Sequence, residues 1–169
     1  GRTSEDVGEG IVNGTFGMAK ETASFINEAI NSGLTKGLGI GESLGANIVK
    51  SKLPHRGLSI LAQGYELDIP VTAHVAIGTD IIHQHPSANG EAIGEGSLLD
   101  FRNFIYSVSK LEAGVAINFG SAVILPEVFL KALTVARNLK YDVKVFTTAN
   151  FDMISQYRPH QNILSRPTS

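Results

Sequence analysis

Three histidines and an aspartate fall within the twelve residues His74-Val-Ala-Ile-Gly78-Thr79-Asp80-Ile-Ile-His83-Gln-His85. Imidazole and carboxylate groups are what zinc or iron takes where thiolates are absent. His74, Asp80, His83 and His85 are therefore a candidate metal set. His83 and His85 alternate, which places both on one side of an extended loop. The chain holds no His-Glu-x-x-His pair, the helical spacing of zinc peptidases. The same imidazoles can equally line a polar pocket. Asp80 has two readings of its own. At the end of a strand it can accept hydroxyl groups of a ribose; within a turn it can bind its own backbone.

Two further clusters carry polar chemistry. The first is Asn118-Phe-Gly120-Ser121-Ala-Val123. Gly120 permits close approach of a ligand to the backbone. A helix starting just after it would offer free N–H groups and a positive dipole end to an anion. The cluster is neither Gly-x-Gly-x-x-Gly nor a phosphate loop, and Ser121 lacks the Gly-x-Ser-x-Gly setting of a nucleophile elbow. The second is Thr147-Thr148-Ala149-Asn150-Phe151-Asp152, which joins hydroxyl, amide and carboxylate groups. Lys131 and Arg137 read as solvated helix residues, and the Leu/Val/Phe set of 128–135 as core.

Hydrophobic spacing indicates which elements position these clusters. Residues 1–15 are polar and Gly-rich, with Thr3-Ser4-Glu5-Asp6 as a turn or cap. Phe16, Ala19, Ala23, Ile26 and Ile30 share one helical face over 15–31, and Gly33 is placed to end that helix in a left-handed cap. Further helices are expected over 43–50 and 58–67. The apolar, β-branched run 69–77 predicts a buried strand, followed by a polar loop over 78–96. Ser97-Leu-Leu-Asp100 resembles a capping box opening a helix to about residue 111. A second strand is expected over 113–119, a helix from Pro126-Glu127 to about 139, and a third strand over 143–148. Residues 149–169 show no clear period.

Strand, helix, strand, helix, strand is a βαβαβ unit. The expected fold class is α/β, a parallel sheet flanked by helices with right-handed crossovers. The 67–169 unit follows a helical, Gly-rich part over 1–66 in one domain. Ligands of such sheets bind outside the carboxyl ends of the strands, which selects the loops 78–86, 120–125 and 148–152.

Composition narrows the function classes. With 169 residues the chain is one domain of ordinary size. Apolar residues are 43% and charged residues 18%, against about 25% charged in typical domains. That shortage of charge points to oligomerisation. The net charge of −2 and the lack of a basic cluster disfavour nucleic-acid binding. No apolar run is long enough to span a membrane. The absence of cysteine removes disulfides, thiolate metal sites and cysteine nucleophiles. Without a secretory signal, the cytoplasm is the expected compartment. The start at Gly1 and the end at Arg166-Pro-Thr-Ser169 suggest a fragment of a longer chain.

Taken in order, the motifs resemble deoxyhypusine synthase, an NAD-dependent transferase of Rossmann-like α/β fold. In that family a strand opening with Ile-Pro-Val leads to a Thr-Asp pair; here Ile69-Pro70-Val71 leads to Thr79-Asp80. A Gly-rich turn before a helix follows, matched by Gly120-Ser121-Ala122-Val123. A later strand ends in Thr-Ala and Phe-Asp, matched by Thr148-Ala149 and Phe151-Asp152. The resemblance covers roughly 67–159. It implies NAD bound by Thr79, Asp80, Gly120, Ser121, Thr148 and Ala149, a substrate pocket at Asp152, and a homotetramer with sites shared across a dimer interface.

The chain departs from the family at the catalytic lysine, which follows a Trp-Gly pair; tryptophan is absent here. Pro126-Glu127 stands where the family has its active-site histidine, and a second family acid falls near His85. The implied activity is therefore NAD-dependent transferase or oxidoreductase chemistry on an amine or alcohol, other than deoxyhypusine formation. His83 or His85 would be the proton acceptor, and Asp152 is the third candidate catalytic residue. Two competing readings remain: a metal-dependent hydrolase or lyase built on His74, Asp80, His83 and His85, and a non-catalytic, oligomeric binding module.

Overall fold

The computed structural model describes residues 8–12, 14 and 19–168. The cap cluster Thr3–Asp6 and the first expected helical turn at 15–18 lie outside these residues. The chain is mixed α/β. Its helices are α1 (Gly8–Val12), α2 (Lys20–Leu34), α3 (Ile40–Lys50), α4 (Ile60–Glu66), α5 (Gly90–Val108), α6 (Ile124–Asn138) and the single turn α7 (Tyr157–Pro159). A π-helical turn, His160–Ser165, continues α7, and short 3-10 turns occupy Arg56–Leu58 and Ile81–Gln84. The sheet has two parallel strands, β1 (Val115–Phe119) and β2 (Thr147–Phe151), in the register Val115↔Thr147 to Phe119↔Phe151. Helix α6 is the crossover between them, as parallel pairing requires.

The helices form because their apolar residues recur on one face. In α6 the buried set is Phe129, Ala132, Leu133 and Ala136, the i, i+3, i+4, i+7 spacing of an amphipathic helix. It packs with Val108, Val143 and Ile163 into one core cluster. A second cluster, Ile30, Ile40, Ala92 and Ile93, joins α2, α3 and α5. Helix α5 contributes to both, so it is the beam on which the halves are laid. The N-terminal helices cross closely through small residues. A Cβ on Gly41 would fall on the Val71 carbonyl, so only glycine lets α3 approach that segment.

Several boundaries differ from the sequence expectation. Helix α2 runs through Gly33 to Leu34, and the left-handed residue is Gly37 (φ 66°). Gly33 is kept small instead by Ser43, which packs against it. Helix α5 starts at Gly90, not Ser97, because Asn89 caps it by accepting the N–H groups of Glu91 and Ala92 at 2.9 and 3.4 Å. Strand β2 lies at 147–151 rather than 143–148. Val143 is drawn into the core, and Glu112 Oε2 accepts the N–H groups of Lys144 and Val145 at 2.6 and 3.0 Å.

The largest difference concerns 69–77. Its middle is extended, yet it is not a strand of the sheet. Side chains of α5 take its amides: Asp100 Oδ2 accepts from Ala73 N–H at 2.8 Å, and Ser97 Oγ from Val75 N–H at 3.3 Å. Ser97 and Asp100, the expected capping pair, are one helical turn apart in the middle of α5. They hold this segment and not their own helix end. The first strand of the expected sheet is thus an unzipped segment, and a cavity opens between it and β1.

Candidate functional site

The loop after the extended segment closes on itself. Asp80 caps the 3-10 turn Ile81–Gln84, accepting from Ile82 N–H at 3.0 Å, and its side chain and that of His83 form a reciprocal capping box. His83 Nδ1 accepts from Gly78 N–H at 3.1 Å and Asp80 N–H at 3.4 Å. Thr79 Oγ1 donates to Ala76 O at 2.7 Å. The structure thus realises the turn reading of Asp80, although its carboxylate remains exposed.

His85 is tied elsewhere. Its Nδ1 accepts from Ser87 N–H at 3.2 Å and lies 2.7 Å from Ser87 Oγ. Asn27 Nδ2 donates to Ile82 O and Ser87 Oγ, both at 3.1 Å, and Asn31 Nδ2 donates to Ser87 O at 3.1 Å. Helix α2 therefore grips the histidine loop through two amides one turn apart. These asparagines were not identified in the sequence; the signal was Asn27 sitting on the same helical stripe as Ala23 and Ile30. Because backbone N–H groups occupy Nδ1 of both His83 and His85, the neutral rings carry their proton on Nε2.

His74 lies apart from these two. Its ring packs edge-on against Phe104 at 5.4 Å, and Nε2 is 3.0 Å from Thr72 Oγ1. Burial pushes its pKa down, so the ring is neutral near pH 7. Among the described residues, no group of three or more His, Asp or Glu side chains is placed to hold a metal ion. Asp80 and His83 are joined in one capped turn, whereas His74 is held by Thr72 and His85 by Ser87.

The second and third loops meet. Gly120 N–H donates to Phe151 O at 2.8 Å, Asn118 Nδ2 donates to Asn150 Oδ1 at 2.6 Å and to Ser121 O at 3.0 Å, and the rings of Phe119 and Phe151 stack at 5.7 Å. Gly120 has φ 69°, and a Cβ there would meet nothing within 4 Å, so its face is open to an approaching molecule. Ser121 Oγ accepts from Leu125 N–H at 3.1 Å and fixes the first turn of α6. Thr148 and Ala149 sit within β2, paired with Ala116 and Ile117. Asp152 is exposed just beyond the strand, its Oδ1 3.5 Å from Ile154 N. An open glycine, a strand end and the start of α6 converge at this turn, where the Gly120 and Leu125 N–H groups are taken by Phe151 O and Ser121 Oγ.

Glu127, in the first turn of α6, does structural work. It binds Lys131 and Arg158 and accepts from Asn162 Nδ2 at 2.7 Å. Hydrogen bonds from Lys131 and Arg158 pull its pKa down to about 2. This carboxylate clamps the C-terminal turns to α6.

Two cavities flank His74. One, about 380 Å³, lies between Ile77, α5 and the start of α6; the other, about 320 Å³, lies between Thr72, α5 and β1. His74 lines both, and β1 walls only the second. Comparison with protein families, with curated proteins and with solved structures returns no match to this chain.

Proposed function

We propose that the chain is a Rossmann-like, NAD-binding protein similar to deoxyhypusine synthase, acting on an amine or alcohol and not making deoxyhypusine. The observation that supports this reading most is the β1–Gly120–α6 unit. A parallel strand ends in an open, left-handed glycine and runs into a helix N-terminus beside the end of β2. Gly120 and Ser121 would lie under the cofactor phosphates. Thr148 and Ala149 would be reached from β2, and Thr79 and Asp80 from the first loop. Bound NAD would supply a hydride acceptor.

The residues of the chain would orient the substrate. Asp152 offers an exposed carboxylate to an amine or hydroxyl group. His83 and His85 offer Nε2–H donors; accepting a proton on Nδ1 would first break their backbone hydrogen bonds. The proposal places the chain in the cytoplasm as a homodimer or homotetramer. The metal-dependent alternative has less support, because His83 and Asp80 spend their inward-facing atoms on the turn they cap.

Calorimetric titration of NAD into the full chain tests the proposal. Saturable binding is expected. It should be lost in Gly120→Val, which places a branched side chain at positive φ where the ligand would lie, and weakened in Asp80→Ala. Wild-type protein that is folded by circular dichroism and takes up no NAD would overturn it.

A further inference from the structure

Away from the strand ends, α5 and α6 border a groove of about 450 Å³. Phe101 and Ile105, which also pack on the core cluster of Val108 and Phe129, line it together with Val135. Leu98 and Leu139 line it as well and are 43 and 61% exposed. The α5 side of the groove runs from Leu98 to Ser109, about 16 Å along the helix axis. It is therefore an elongated apolar trough open to water.

The free polar groups on this trough are of one kind. Arg102 is exposed and makes no hydrogen bond or ion pair among the described residues. The hydroxyls of Tyr106 and Tyr141 are unbonded in the same sense. Ser109 Oγ is already spent, donating to Tyr106 O at 2.7 Å. Lys110 adds a second positive charge, its Nζ 3.9 Å from the centre of the Tyr106 ring. No acidic residue lines the groove, and Asp142, next to Tyr141, is paired with Lys144 at 2.9 Å. A guanidinium and two phenol hydroxyls over an apolar strip match an apolar body that ends in an anion. The planar guanidinium suits a carboxylate best.

We infer that this groove binds a free apolar monocarboxylate, a medium acyl chain in size. Its chain lies on Phe101, Ile105 and Val135, and its carboxylate pairs with Arg102. The apolar walls disfavour sugars and nucleotides, and the guanidinium disfavours amines. The groove shares no residue with the three polar loops, so the inference is independent of the cofactor proposal.

The probes are octanoate and octanol, which share a chain length and differ in charge. Each is titrated into the full chain at low salt and followed by the methyl shifts of Leu98, Val135 and Leu139. Octanoate should bind saturably. Arg102→Gln should weaken octanoate about fivefold, the worth of a good ion pair at an exposed site, and leave octanol unchanged. Raising the salt concentration should shrink that loss. Because Arg102 holds no partner in the fold, the variant should melt as the wild type does. Leu139→Glu should weaken both probes, octanoate more. No saturable binding of octanoate, or an Arg102→Gln variant that keeps full affinity for it or loses both probes equally, would overturn the inference. A groove covered by a second copy belongs to the first of these outcomes, and Leu139→Glu would then lower the mass found by sedimentation equilibrium.

Discussion

At Glu127 one carboxylate holds three partners from two elements. Lys131 is its own helix neighbour at i+4, whereas Arg158 and Asn162 belong to the C-terminal turns. Its folded pKa of about 2 lies below its ordinary 4.5. The unfolded chain therefore binds this proton more tightly, and stability falls as the group is titrated. The contribution is present above pH 4.5 and is lost as pH falls toward about 2. Glu127→Gln should lower the melting temperature at pH 7 and flatten the wild-type decline between pH 4.5 and 2, a difference thermal melts along a pH series would show. An identical decline in the two proteins would remove Glu127 as the clamp. The residue was visible in the sequence as a first-turn acid, which favours helix N-termini. Its partners from the last thirteen residues were not, because those residues carry no hydrophobic period to place them.

At the scale of elements, the extended segment over 71–76 decides the architecture. Its β-branched, apolar composition reads as a buried strand, and it does run extended. Asp100, 1% exposed, gives one oxygen to both Ala73 N–H and Gly41 N–H, at 2.8 and 2.9 Å. Burial raises the Asp100 pKa, and the backbone N–H groups oppose that shift. One side chain thus ties α5 to the segment and to the start of α3. Gly41 completes the joint from the α3 side, because any Cβ would meet the Val71 carbonyl. Gly41→Ala should destabilise the fold by about 1–3 kcal/mol, the usual cost of overpacking. Denaturant unfolding measures this, and Gly57→Ala, where a Cβ meets nothing within 4 Å, serves as the control. Equal losses in the two variants would mean that the close approach at Gly41 is unimportant.

At the scale of the whole molecule, the two-stranded sheet leaves apolar side chains in water. One face of the sheet is bare: Val115, Ile117 and Phe119 are 59, 62 and 80% exposed. Alternation along β1 sends Asn118 inward and these residues outward. Helices α5 and α6 pack against each other, and no helix covers the outward face among the described residues. Contiguous apolar patches of this kind mark interaction surfaces, which supports the proposed homo-oligomer. Sedimentation equilibrium should give a mass of two or four chains, and Ile117→Lys should shift it toward one. A wild-type monomer would refute the assembly. Among the described residues, no helix is long and apolar enough to cross a membrane.

The sequence by itself determined the helical stripes of α2 and α6, the presence of β1, and the order of the three polar loops. These follow from side-chain type and spacing, which act within one element. It could not determine which acceptor each buried amide would find. Ser97 and Asp100 look locally like a helix cap and are spent on a segment more than twenty residues away. Asp80 and His83 look like ligands and are spent on their own turn. Asn118 looks like one polar residue in a strand, and only the pairing with β2 and the turn at Ser121 give its amide its partners. Hydrogen-bond partners are chosen by which groups the fold brings within about 3 Å. That choice belongs to tertiary structure.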